Sequence, residues 1–162
     1  MSEGRESERL ANDRNVVRYV GGSHAVLNSV SGEYEIDASA FDRTAKDHDG
    51  LSFIQRLVLS TDPQRDEDEI RRVVGAWRSL GKTARFAELN VGHAVEALRV
   101  FDQDFYFCED PLPEFDGKPA NSAHVLLIGL PFKGEAIGSL RSEWAGELLS
   151  GVVLTTFSAI MP

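Results

Sequence analysis

The segment Cys108–Gly129, CEDPLPEFDGKPANSAHVLLIG, is the stretch from which the fold can be worked out. It holds the single cysteine and three of the six prolines, and His124 opens the apolar run at its end. A polar, proline-stiffened loop between two strand-like runs is where a rigid scaffold usually presents binding or catalytic groups. We therefore predict two strands, one on each side of the loop 110–121, and a candidate site beside it.

Outward from this segment, strand-like and helix-like patterns alternate. Asp62-Pro63 begins the clearest helix, which has acids in its first turns, an apolar face and Gly81 at its end. A second amphipathic pattern covers Glu135–Leu149. Alternation of this kind predicts an α/β or α+β fold, with a mixed β-sheet and two principal amphipathic helices at about 62–80 and 135–149.

The length of 162 residues fits one domain. Residues 1–14 carry seven charges and few apolar groups, so they bury too little surface to offset the entropy cost of ordering. We expect a flexible N-terminal tail at 1–14 and a single α/β domain at 15–162.

Charge and cysteine content narrow the function classes. The net charge of −9 disfavours nucleic acid and anionic membrane surfaces, and it is compatible with a basic protein partner. A single cysteine forbids an internal disulfide, the charged N-terminus does not resemble a signal peptide, and the longest apolar run is too short to cross a bilayer. We expect a cytoplasmic protein without a cofactor.

Cys108 and His124 form the first candidate catalytic pair, since a cysteine nucleophile needs a base to take its proton. Asp110 or Asp116 would orient the imidazole if the two flanking strands pair. A buried structural cysteine is the favoured alternative for Cys108, because a lone cysteine usually behaves as a small hydrophobe. A hydrogen-bonded structural histidine is the favoured alternative for His124.

Arg18 offers a second interpretation. An arginine on the first strand, a serine such as Ser39 or Ser52 on a later one, and an acid from Glu143 or Glu147 would suit an ADP-ribosyltransferase-like site. Arg18 on the solvent face of an edge strand is the favoured alternative.

A third cluster, Asp42, Asp47, His48 and Asp49, contains side chains that can bind a cation. Its spacing departs from that of a calcium loop, and Asp49-Gly50 is a strong turn dipeptide, so we predict a turn and no metal site. Glycine-rich phosphate loops, zinc motifs and the GxSxG motif do not occur in the sequence either.

Four short segments are similar to a loose family of uncharacterised small bacterial proteins: ASAF (Ala38–Phe41), DGLS (Asp49–Ser52), DPLP (Asp110–Pro113) and SAHVLLIG (Ser122–Gly129). The resemblance spans roughly residues 16 to 150. It implies that the DPLP segment and His124 belong to one structural unit, and it implies no activity.

We expect a non-catalytic protein-interaction module, with an accessory or neutralising role in a bacterial toxin or defence system. Its predicted contacts lie in the proline loop and at the acidic start of the first helix: Asp110, Pro111, Pro113, Phe115, Glu67 and Glu69. The alternative is a small hydrolase or transferase with its site near His124.

Overall fold

The computed structural model describes residues 9–44, 47, 49–137 and 140–161. Within them, six strands form one sheet in the order β10-β5-β1-β4-β7-β6, and every neighbouring pair is antiparallel. The strands of this sheet are β1 (Asn15–Val20), β4 (Leu51–Gln55), β5 (Arg85–Asn90), β6 (Tyr106–Glu109), β7 (His124–Ile128) and β10 (Thr155–Ser158). Two small hairpins, β2 (Ala25–Leu27) with β3 (Tyr34–Ile36) and β8 (Ala136–Ile137) with β9 (Leu140–Arg141), complete the strands. The predicted fold class is confirmed, and the α+β alternative is the one observed.

Helices cover both faces of the large sheet. The helices are α1 (Pro63–Gly75), α2 (Val91–Leu98) and α3 (Ser142–Gly151). Because successive side chains of a strand point to opposite faces, Val16 and Val20 of β1 pack with α2 and α3, whereas Val17 packs with α1. The sheet is therefore the middle of three layers, and α1 alone among these helices covers the face discussed below.

The first predicted helix begins where its sequence indicates. The side chain of Asp62 accepts a hydrogen bond from the Arg65 N–H over 3.1 Å, and Pro63 occupies the first turn. The helix ends at Gly75, earlier than the predicted residue 80. There the Trp77 N–H bonds to the Val74 carbonyl oxygen, a tighter turn that interrupts the α-helical pattern.

The second predicted helix is also present but begins at Ser142, so the expected range 135–149 is wrong at its start. Residues 136–137 and 140–141 pair as the β8–β9 hairpin. Their backbone N–H and C=O groups then pair across the hairpin and are not available for a longer helix. The Ser142 N–H bonds to the Glu135 carbonyl oxygen, which places the helix start directly against the hairpin.

Of the predicted N-terminal tail, residues 1–8 lie outside the described residues. The Leu10 N–H donates to the Phe107 carbonyl oxygen over 2.9 Å, and Arg9 Nη2 lies 2.7 Å from Asp104 Oδ2. Residues 9 and 10 thus contact the edge of the sheet beside β6. Among the described helices, none has the length and apolar character that crossing a membrane requires.

Candidate active site

Three neighbouring strands bring a serine, a histidine and an aspartate to the same face of the sheet. His124 lies opposite Ile54 in the β4–β7 pair. Asp110 follows β6 on the other side, and its N–H donates to the His124 carbonyl oxygen over 2.9 Å. Ser52 precedes Ile54 by two residues and therefore faces the same side. The register thus places Ser52 diagonally across from His124, a separation that long side chains span.

The two ring nitrogens of His124 have different partners. Nδ1 lies 3.2 Å from Asp110 Oδ2 and 3.0 Å from the Asp110 backbone oxygen, while Nε2 lies 3.1 Å from Ser52 Oγ. A carbonyl oxygen and an ionised carboxylate only accept hydrogen bonds, so Nδ1 carries the proton of the neutral ring. Nε2 is then unprotonated and accepts from the Ser52 hydroxyl. This is the tautomer in which a histidine can remove a serine proton.

A cavity of about 250 Å³ opens beside Ser52 and His124. Its walls come from β1, β4 and β5, from α1 and from the loop 110–121. His124 retains 13% exposure of its side chain, so the ring is sheltered but still accessible. A larger cleft of about 520 Å³ lies elsewhere, along β3 and β10, and no histidine is among the described residues that line it. A third cavity of about 390 Å³ is lined by His24 and Ser39, and the geometry of that cluster is compared with the His124 site below.

Asn121 supplies an amide to the wall of the cavity beside Ser52 and His124. Its Oδ1 accepts the Ala123 N–H over 3.2 Å, which fixes the orientation of the side chain. Within the described residues Nδ2 makes no hydrogen bond, so two N–H groups remain for a ligand oxygen.

Arg18 lies on β1, an interior strand of the large sheet, so the expected position on the solvent face of an edge strand is wrong. Its guanidinium contacts the backbone of Ser52. Its Nη1 donates to the Ser52 carbonyl oxygen over 2.9 Å, and its Nε donates to the Ala40 carbonyl oxygen over 2.7 Å. Burial lowers the pKa of Arg18 to about 10, which leaves it charged at neutral pH. In the described residues neither Glu143 nor Glu147 forms an ion pair with Arg18, so the elements of the ADP-ribosyltransferase-like interpretation are not brought together.

Cys108 is fully buried in a small apolar cluster with Tyr106 and Leu126, directly opposite Leu126 in the β6–β7 pair. The hydroxyl at His124 Nε2 belongs to Ser52. The loop-flanking strands do pair, as the catalytic interpretation of His124 and Asp110 required, but the side chain that contacts Nε2 is a serine of β4 and not the cysteine.

A second serine–histidine–aspartate cluster lies outside this cavity and differs in one respect. His24 contacts both Ser39 Oγ, at 2.9 Å, and Asp37 Oδ2, at 3.5 Å, through the same nitrogen, Nδ1. A proton relay needs the acid and the hydroxyl on opposite nitrogens. Hydrogen bonding to Ser39 lowers the pKa of Asp37. The His24 cluster therefore serves as an internal comparison for the His124 site.

The predicted partner-binding residues fall into two groups. Pro111, Pro113 and Phe115 are exposed in the loop, and the Phe115 ring stacks on Trp77 with centroids 6.5 Å apart. Glu67 and Glu69 face cations of their own chain instead of open solvent. Their partners are Arg56 and Arg71 for Glu67, and Arg72 for Glu69.

Two acids of the predicted turn cluster contact groups of their own chain. Asp42 Oδ2 lies 3.9 Å from Lys133 Nζ, and Asp47 Oδ2 accepts from the Thr44 N–H. His48 lies outside the described residues. In the part of the chain that the structure describes, no three histidine, cysteine or acidic side chains are grouped as metal ligands.

No protein-family model, curated protein or solved structure matches this chain. The resemblance of its four segments to a loose bacterial family stays a prediction.

Proposed function

We propose that this protein is a small serine hydrolase that cleaves acyl esters, with Ser52 as nucleophile, His124 as general base and Asp110 as the residue that orients the imidazole. The observation that carries the proposal is the contact of His124 Nε2 with Ser52 Oγ while Nδ1 contacts Asp110. Nucleophile and base within hydrogen-bond reach, with the base oriented by a third group, are the geometric signature of nucleophilic catalysis. A small hydrolase with its site near His124 is the alternative function that the sequence leaves open, and the proposal adds Ser52 as its nucleophile.

The reaction proceeds in two balanced steps. Ser52 Oγ forms a bond to the acyl carbon as its proton passes to His124 Nε2, and the same proton is then given to the departing alcohol oxygen as the ester bond breaks. Water next attacks the acyl-enzyme and gives a proton to His124 Nε2. The bond from Oγ to the acyl carbon breaks, and the proton returns to Ser52, so the products are a carboxylic acid and an alcohol.

Asn121 supports the charge that develops during both steps. A tetrahedral intermediate carries a negative oxygen, and a fixed donor directed at that oxygen lowers the barrier. The Asn121 amide lines the same cavity, has its oxygen end fixed by Ala123, and offers Nδ2 to the ligand.

The test compares two pairs of variants in the hydrolysis of p-nitrophenyl acetate and in labelling by a fluorophosphonate. Ser52→Ala and His124→Gln are expected to lose at least about a hundredfold in kcat/KM, the usual effect of removing a nucleophile or base, and Ser52→Ala is expected to lose the label. Ser39→Ala and His24→Gln are the matched controls, and they are expected to keep both the esterase activity and the labelling. Thermal unfolding of all four variants separates loss of chemistry from loss of fold.

A wild-type rate equal to that of Ser52→Ala would show that the serine does no chemistry. Loss of stability in His124→Gln, with no activity in the wild-type protein, would assign the histidine a structural role.

A second candidate function is the non-catalytic interaction module, and one observation favours it. Phe115 has 64% and Trp77 has 40% of its surface exposed, and together they form a stacked aromatic pair at the surface. Exposed aromatic residues are frequent anchors of protein interfaces. Under this candidate the partner is a basic cytoplasmic protein of a toxin or defence system. Phe115→Ala would abolish its binding, whereas Val30→Ala, at an exposed residue of another loop, would not.

A further inference from the structure

The composition of the cavity walls indicates the kind of acyl group that the proposed site accepts. Apart from Ser52 and His124, most of the lining is aliphatic or aromatic. These apolar and aromatic residues are Val17, Tyr19, Phe53, Ile54, Val73, Val74, Trp77, Phe86 and Leu112. We infer, on the basis of the proposed function, that the substrate carries a compact, uncharged, apolar acyl group.

The volume sets the size of this group. A cavity of about 250 Å³ holds roughly eight non-hydrogen atoms at about 30 Å³ each. Val73 is fully buried on α1, and Phe86 on β5 is nearly so, hence neither side can give way without disturbing the core. Because the carbonyl oxygen takes one of these places, the limit falls near a six- to seven-carbon acyl chain.

The charged groups around the cavity do not favour an acidic acyl group. Among the described lining residues Arg18 alone carries a permanent charge, and its side chain lies on the face of the sheet opposite to Val17 and Tyr19. There it donates to the carbonyl oxygens of Ala40 and Ser52. The Tyr19 hydroxyl accepts the Gly81 N–H. A carboxylate placed among the apolar walls would lose its hydration without an equivalent partner.

The segment just beyond α1 and the loop 110–121 both contribute to the cavity wall. Trp77, just beyond α1, lines the cavity and stacks on Phe115 of the loop, and Leu112 and Asn121 of the same loop line the cavity as well. In this cavity the Asn121 amide would hold the ester oxygen, and the acyl chain would pack on Trp77 and the other apolar lining residues.

The test measures kcat/KM for p-nitrophenyl esters from acetate to dodecanoate, and for an ester of a succinyl half-acid. Each buried methylene is expected to raise kcat/KM up to about fourfold as far as the hexanoate, the factor that corresponds to its transfer from water. The dodecanoate and the succinyl ester are expected to react at least tenfold more slowly than the hexanoate.

Val74→Trp fills part of the cavity from α1, and Val95→Trp is the matched control on α2, on the other face of the sheet. The ratio of hexanoate to acetate kcat/KM should fall about tenfold in Val74→Trp and stay constant in Val95→Trp. Labelling of Ser52 by fluorophosphonates with short and long alkyl chains gives the same comparison without turnover.

The outcomes distinguish the two proposals. Acetate hydrolysis that is independent of Ser52 would overturn the proposed function. Hydrolysis that depends on Ser52 but is equal for acetate, hexanoate and succinyl esters would overturn the inference about the acyl group alone.

Discussion

Replacing Asp110 by asparagine tests how the imidazole of His124 is held. Two oxygens of Asp110 lie near Nδ1: the backbone oxygen at 3.0 Å and Oδ2 at 3.2 Å. The substitution removes the negative charge but keeps the backbone acceptor. The Nδ1–H tautomer therefore persists, and the variant loses only the charge that stabilises the imidazolium formed during reaction.

The size of this loss follows from the two kinds of hydrogen bond. A hydrogen bond to a charged group contributes about 1.5–3 kcal/mol and a neutral one about 0.5–1.5 kcal/mol, so the difference is about 1–1.5 kcal/mol. That difference corresponds to about tenfold in rate. Asp110 retains 30% exposure, which keeps the effect at the lower end. His124→Gln removes the base itself and is expected to cost about a thousandfold.

The assay is kcat/KM for p-nitrophenyl acetate, with folding checked by circular dichroism. Asp116→Asn is the matched control, since Asp116 is exposed in the same loop and its φ of 51° is a conformation that asparagine tolerates. A loss in Asp110→Asn as large as in His124→Gln would refute the role of the backbone oxygen. An unchanged rate would remove the Asp110 carboxylate from the mechanism.

Three further predictions concern stability. Arg56→Met leaves the fully buried Asp66 without the guanidinium 2.5 Å from its Oδ2, which should cost about 3–5 kcal/mol in urea unfolding, and a loss under about 1 kcal/mol would contradict this. Gly129→Ala places a Cβ 2.8 Å from a backbone oxygen at a φ of 114°, so the variant should unfold at lower urea than Gly151→Ala, where nothing lies within 4 Å. Burial raises the pKa of Asp42, so folding of the wild-type protein weakens as the pH rises through that pKa. Asp42→Asn should therefore be more stable than wild type at pH 7, with the gain disappearing below about pH 3.9, and an equal gain at both pH values would contradict this cause.

Local signals in the sequence predict local structure well. The start of α1 is predictable because the Asp62 cap, the proline and the helical period all lie within a few residues of one another. The start of α3 is not, since the competing β8–β9 hairpin has the same apolar residues and only pairing with a neighbour distinguishes the two. The strand order of the large sheet depends on contacts far apart in sequence, which no local pattern encodes.

The contacts of the candidate site can likewise be predicted where they are local in the sequence and not where they are distant. His124 and Asp110 are 14 residues apart and flank one loop, so their proximity follows once the strands on either side pair. Ser52 and His124 are 72 residues apart and meet through the β4–β7 register. Before the register is known, Ser52 is one polar residue in an apolar strand, and the sequence connected it only with Arg18. A shift of one residue in that register would turn Ser52 to the other face.

One arginine links the stability of the fold to the proposed chemistry. Arg56, directly after β4, contacts Asp66 and Glu67 of α1 and Glu88 of β5. It thereby fixes the helix that supplies the apolar wall to the strand that supplies Ser52. Backbone pairing within the sheet positions Ser52 and His124. The apolar cavity wall on α1, in contrast, depends on the ion pairs of Arg56 for its position. Loosening α1 should therefore weaken discrimination among acyl chains before it abolishes hydrolysis of the acetate.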